Sequence, residues 1–405
     1  MNTFINILGV LLFAFGIAVS IALHEFGHLL SAKAFGMKVT RYFIGFGPKL
    51  FSFRRGETEY GLKAIPAGGF CEITGMTALD EVHPDDRKRA FYNQKVWKRV
   101  IVLSAGSITH FILGFIILLI LAMSLGLPNN KDLPVLAEIS PCVQDHTVGL
   151  TLDTPCQPGA PAPAKDAGLK PGDEVTSIAG KPISTWTEML KVTRDLQGPT
   201  EFKVLRDGKE LTLNVNVPQV TREVLDGKGG REVKEVGAIG VTWQQNFEYT
   251  PLAAVPASIA FTGDMFVNTW KGLMRFPERI PAVVKAIGGG ERDLDTPISV
   301  VGASRLGGDA AERGLWAFFI LMLAGLNFFV GVFNLLPLLP LDGGHIAVNL
   351  YERVRDWLRK LRGKPAGAPV NYMRLLPLTY VVIFIGGAIT LLTVTADIVN
   401  PIRLQ

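Results

Sequence analysis

Two histidines and a glutamate stand together in SIALHEFGHLL (20–30), as His24-Glu25-Phe26-Gly27-His28. On a helix, side chains four apart share one face, so both imidazoles can hold one metal ion. Glu25 lies one position on, about 100° round the helix, and can serve a water at that ion as general base. The bland alternative is a pair of structural histidines in a helical core. A catalytic zinc site needs a third protein ligand and an open position for water. The candidates are His83, His110, His146, His345, Asp342 and Asp397. His83 sits in a charged loop and His146 in a region read below as outside the membrane, so neither is placed to reach. Asp342 stands in NLLPLLPLDGGH (334–345), directly after an apolar stretch. Pro337 and Pro340 break that helix, and Gly343 and Gly344 let the backbone turn close to a neighbour. The break projects Asp342 inward at the depth where His24 and His28 emerge. His345 is a fallback ligand, and a plain helix-end carboxylate is the other reading of Asp342.

The elements that must position these groups are mostly apolar. The chain has 405 residues, 48% of them apolar, and a positive mean hydropathy, which admits membrane spans beside a soluble domain. Four stretches satisfy the length and polarity of a spanning helix, roughly 4–33, 100–126, 315–339 and 375–396. The first is not read as a cleaved signal peptide, because no Lys or Arg precedes its core and the apolar run continues into the histidines. An ionised side chain at mid-bilayer costs roughly 2.5–3.5 kcal/mol on insertion scales. Metal coordination gives His24, Glu25 and His28 a compensating reason to be there.

Charge sets the expected orientation. Residues 36–99 carry 12 bases against seven acids, and 343–374 carry seven against two, whereas 128–313 carry 24 acids and 20 bases. The two basic loops belong on the cytoplasmic face, with the long acidic region and both termini outside. The pI near 9.0 is therefore a topology signal. No basic–aromatic array accompanies it, so nucleic acid is not an expected partner. Cys142 and Cys156 fall in the outside region, where a disulfide closing about 15 residues is permitted; Cys71 is expected to be a free packing cysteine.

The inner loop GFGPKLFSFRRGETEYGLKAIPAGGFCEI reads as strands with glycine-marked turns, a sheet at the membrane surface beside the site. In the outside region, Pro171–Gly172 precedes a strand at 174–178. A helix capped near Ser184 or Thr185 follows, then a hairpin turned at Asp207–Gly208. This order, above all GLKPGDEVTSIAGKPI (168–183), resembles a bacterial-type PDZ domain, a module that binds peptide ends or extended segments by adding a strand. A spacer or size filter is the alternative. The segment 219–313 reads as a further strand and amphipathic, interfacial helices interrupted at Pro277 and Pro281.

HEFGH in the first span, GFGP after it, the PDZ-like segment between the second and third spans, and N-x-x-P-x-x-x-x-D-G-G ending the third together resemble the site-2 protease family of intramembrane zinc metalloproteases. TPISVVGAS (296–304) and the tail LLTVTADIVNPIRL are similar to the actinobacterial, mycobacterial-type members. The resemblance implies Zn2+ held by His24, His28 and Asp342, with Glu25 activating water. It also implies that Asn334 and the loop carrying Gly45 and Gly47 hold substrate, the latter beside a sheet that accepts it as an added strand. There is one departure: AGSITH places Ser107 and His110 where many relatives have A-G-P-x-x-N, so the role of that asparagine does not transfer. His110 could contact the metal or substrate, and a helix–helix contact is the favoured reading.

The expected fold class is a multi-span α-helical membrane protein with about four transmembrane helices, a membrane-associated β-hairpin or sheet, and an extracytoplasmic α+β PDZ domain. The expected divisions are 1–127, 128–218, 219–313 and 314–405. The expected function is regulated intramembrane proteolysis in the plasma membrane. Its substrates are single-span membrane proteins such as anti-sigma factors, already cleaved outside. A catalytically silent PDZ scaffold is the alternative from another class; a metal-ion transporter lacks further intramembrane acids for a pathway.

Overall fold

The computed structural model describes residues 3–76, 80–145, 155–225, 231–290, 292 and 295–404. They form two units, Met1–Ser124 with Tyr249–Gln405, and Leu125–Glu248. Among the described residues, four helices are long and apolar enough to cross a membrane, at Thr3–Ala34, Val96–Ser124, Trp316–Asn334 and Leu376–Val399. Helix α1 (Thr3–Ala34) keeps Phe4, Leu11 and Phe15 exposed. An apolar surface on every side is the signature of a helix solvated by lipid.

Strands β1 (Val39–Arg55) and β2 (Thr58–Ile73) follow. They turn through Gly56 and Glu57 between the pair Arg55↔Thr58, and Gly56 supplies the φ of 64° that such a two-residue turn requires. Gly45 and Gly47 bend β1 at φ of 89° and 81°. A Cβ on Gly45 would stand 2.8 Å from the carbonyl oxygens of Lys63 and Ile65. The bend folds each strand so that 41–44 has partners on two sides, 69–72 and 59–62. The segment 69–73 is thereby left at an edge of the sheet. Tyr42 donates its hydroxyl to the Ala22 carbonyl at 2.7 Å and fastens the sheet to α1. Helix α2 (Val96–Ser124) crosses α1 closely at Gly27, where a Cβ would meet the Ala105 carbonyl oxygen at 2.6 Å. Small residues permit such approach where lipid supplies no hydrophobic drive.

The second unit contains β3 (Leu127–Pro128), β4 (Leu136–Ile139), α3 (Pro163–Asp166), β5 (Glu174–Ile178), β6 (Lys181–Pro182) and α4 (Trp186–Arg194), continuing into β7 (Gly198–Arg206) and β8 (Lys209–Val217). Its last strands are β9 (Gln219–Leu225), β10 (Arg231–Gly237), β11 (Val241–Trp243) and β12 (Asn246–Phe247). A four-stranded sheet runs β6-β5-β7-β8. Alternate residues Val175, Phe202, Val204, Val215 and Val217 face Met189 and Trp186 of α4 in one core. Thr185 caps α4 by accepting from the Glu188 amide at 3.1 Å. Asp207 and Gly208, at φ of 51° and 76°, turn the β7–β8 hairpin. Buried Asp173 accepts two bonds from Arg206, each 2.7 Å, which holds the guanidinium above its ordinary pKa. A disulfide joins Cys142 to Cys156. β11 pairs with β4 and β12 with β3, so the ends of this unit close on each other and 219–248 belongs to it.

The chain continues into α5 (Pro251–Ile287), α6 (Val300–Glu312), α7 (Trp316–Asn334), α8 (Asp342–Leu361) and α9 (Leu376–Val399). The interruption expected at Pro277 and Pro281 is corrected: α5 is one helix of 37 residues that runs through Pro256, Pro277 and Pro281. Proline's fixed φ is helical, and two prolines one turn apart place their missing bonds on one side. Packing supplies the rest: Phe266 of α5 seats against Phe111 and Phe328, at 4.8 and 5.3 Å between ring centres. α5 thus lies along α2 and α7. α6 begins under Asp397, which accepts from the Ser299 amide and hydroxyl, each at 2.6 Å. Leu335–Leu341 then folds back over the start of α8. Gly343 allows this, since a Cβ there would stand 2.2 Å from the Leu335 carbonyl oxygen.

Candidate metal centre

His24 and His28 lie one turn apart on α1, with their Nε2 atoms 3.2 Å from each other. Asp342, the first residue of α8, sets Oδ2 3.4 Å from each of those nitrogens. Among the described residues these three form the one group of His, Cys, Asp or Glu side chains arranged to hold a metal ion. Each histidine is only 7% exposed.

The three separations carry a geometric test. A tetrahedral ion with ligands at about 2.0–2.1 Å requires donor atoms about 3.3 Å apart along each edge. The observed 3.2, 3.4 and 3.4 Å match three corners of that figure. The tautomers agree. His28 Nδ1 donates to the Val102 carbonyl at 2.7 Å, which leaves Nε2 a lone pair aimed at the centre. The donor set, two imidazoles and one carboxylate with a corner left open, is that of a catalytic zinc site.

α2 contributes emptiness. A Cβ on Gly106 would lie 2.5 Å from His24 Cε1 and from His28 Nε2, so the backbone of α2 forms a wall of the centre. One turn on, His110 is 2% exposed. Its Nδ1 meets Asn327 Oδ1 of α7 at 2.8 Å, and its ring lies 5.0 Å from that of His24. Asn327 gives no sequence cue beyond being a polar residue inside an apolar helix, and sequence reasoning passed over it.

Glu25 faces a cavity of about 170 Å³ that His24, His28 and Asp342 share with Gly69, Phe70 and Cys71 of β2. A Cβ on Gly69 would come within 3.0 Å of Glu25 Cγ. The sheet edge therefore lies against the acid that neighbours His24, His28 and Asp342. Burial pushes the Cys71 thiol pKa up, which keeps it a protonated lining group.

The other candidates are elsewhere. The His345 ring stacks on Tyr372 at 5.6 Å, His83 lies beside Asp85 with both well exposed, and Asp397 is bound to Arg292 and Ser299. His146 lies outside the described residues. Asn334 is the last residue of α7, half-buried, and precedes the turn that delivers Asp342. Gly45 and Gly47 do not line the cavity; they make the bends that expose 69–73.

Residues 12–378 match the family model described as Peptidase family M50. The chain is 47% identical over 403 residues to the zinc metalloprotease Rip1 of Mycolicibacterium smegmatis, a match covering 98% of both chains. The zinc metalloproteases Rip1 of Mycobacterium bovis and Mycobacterium tuberculosis are 48% and 47% identical over 401 residues, again 98% of each chain.

Proposed function

The chain belongs to peptidase family M50 and is a zinc metalloprotease of the membrane, and from that premise we propose that it cuts single-span membrane proteins within or beside their transmembrane segment. In this reading His24, His28 and Asp342 hold Zn2+ and Glu25 is the general base. The chemistry a bound Zn2+ supplies is polarisation of the scissile carbonyl and acidification of a water. Glu25 takes a proton from that water and passes it to the departing amine.

A helical substrate hides its scissile carbonyl in its own hydrogen bonds, and backbone freed in a membrane must find new partners. The edge at 69–73 offers them, with Gly69, Phe70 and Cys71 lining the cavity, so the substrate joins the sheet as an added strand. Asn334 takes a further backbone bond, and Gly45 and Gly47 serve through the bends that free the edge. The basic loops lie in the cytoplasm, and water enters from that side. The segment 128–218 acts as a PDZ domain outside the membrane, reading chain ends left by an earlier cut. Anti-sigma factors are the substrate class this arrangement fits.

The single observation that carries the reading is the meeting of three metal-binding atoms from α1 and α8 beside Glu25. Its test is cleavage of a single-span substrate by purified protein. Glu25→Gln is expected to lower the rate by at least about 100-fold while zinc content stays at the wild-type level. Undiminished cleavage by that variant removes Glu25 from the chemistry.

A further inference from the structure

We infer that His110 is a positioning residue for the metal centre, its Nε2 accepting the Nδ1–H of His24. The inference rests on the reading of His24 as a zinc ligand through Nε2.

The protons can be assigned by following the bonds inward from α7. Asn327 Nδ2 donates to the Leu323 carbonyl at 2.8 Å, which fixes the orientation of its amide. Its Oδ1 is then the atom that meets His110 Nδ1 at 2.8 Å, so His110 Nδ1 carries the proton. The Nε2 of His110 is left with a lone pair. On the other side, His24 turns Nε2 toward His28 Nε2 and Asp342. As a zinc ligand through Nε2 the neutral ring bears its hydrogen on Nδ1, and that buried atom has no partner.

Position agrees with proton. A Cβ on Gly106 would fall 2.7 Å from His24 Nδ1, so this edge of the ring faces α2. His110 is the polar side chain one turn further along the same face of α2. With ring centres 5.0 Å apart and planes tilted by 40°, the two rings are direct neighbours, and the inferred bond runs from His24 Nδ1–H to His110 Nε2. Leu323, Asn327, His110 and His24 then form one chain across α7, α2 and α1. Each member sets the next, and the last sets the tautomer and aim of a metal ligand. Outer partners of this kind govern how tightly a ligand set holds its metal.

The test uses full-length protein loaded with zinc and dialysed against graded chelator, with bound zinc measured and the melting of metal-stripped protein recorded alongside. His110→Phe removes the acceptor and is expected to release zinc at about 10–100-fold lower chelator, while stripped protein melts as the wild type does. His110→Asn keeps a polar contact to Asn327 but is too short to meet His24, and is expected to release zinc similarly. His110→Gln places an amide oxygen near the Nε2 position and is expected to hold zinc nearly as the wild type does. If His110→Phe does not fold, the Asn and Gln variants decide. Wild-type retention by His110→Asn overturns the inference, as does easy release by His110→Gln. So does a fall in the melting of stripped protein large enough to explain the lost zinc. A wild type that binds no zinc overturns the reading of the centre and this inference together.

Discussion

Gly106 is where the smallest side chain has the largest consequence. Its missing Cβ leaves room for both imidazoles, at positions 2.5 Å from where that carbon would be. Neither ring can retreat, since His28 is tied to Val102 and His24 backs onto His110. Gly106→Ala is accordingly expected to lose at least about tenfold in zinc retention, with an overpacking cost of about 1–3 kcal/mol in melting. An alanine variant that binds zinc normally and melts normally would show the wall to be soft. At this scale the sequence was legible where chemistry repeats at helical spacing. His24 and His28 announce themselves by their separation, and Asp342 by the prolines before it and the glycines after it. Asn327 was not legible, because a lone amide among apolar residues does not say which helix it will face.

Among elements, the turn between α7 and α8 decides whether a carboxylate reaches the histidines. Leu335 folds onto Gly343 closely enough that a Cβ there would stand 2.2 Å from its carbonyl oxygen. Gly343→Ala must push α8 away from that turn and carry Asp342 with it. The expected result is a drop of about 1–3 kcal/mol in stability and loss of most proteolysis, read by melting and by substrate cleavage on the same preparation. In the second unit, the Cys142–Cys156 disulfide closes a separation of 14 residues. Replacing both cysteines with serine is expected to lower that unit's stability by roughly 3 kcal/mol in the chain-entropy model, measured as a reduced melting transition. Apolar runs made the four long helices legible, and Gly56 and Asp207–Gly208 marked their hairpins. The continuity of α5 was not, since proline's local cost is visible in sequence and the packing of the helix against its neighbours is not. The double pairing of 41–44 was hidden as well, because Gly45 and Gly47 bend a strand without naming its second neighbour.

For the molecule as a whole, one ion is asked to join the first apolar helix to a residue more than three hundred positions later. Such a link, as proposed, gives the histidines of an apolar helix a reason to be there. The order of motifs made the family legible. The closure of β11 and β12 onto β4 and β3 needed coordinates, because strands that short carry almost no periodicity. Zinc-edge X-ray absorption on purified protein, with Asp342→Ala beside the wild type, tests the central claim most directly. The expected wild-type spectrum has only nitrogen and oxygen neighbours at about 2.0–2.2 Å, two of them imidazoles, and the variant loses its zinc or one oxygen neighbour. A sulfur neighbour near 2.3 Å, or a variant spectrum identical to the wild type, would contradict the account.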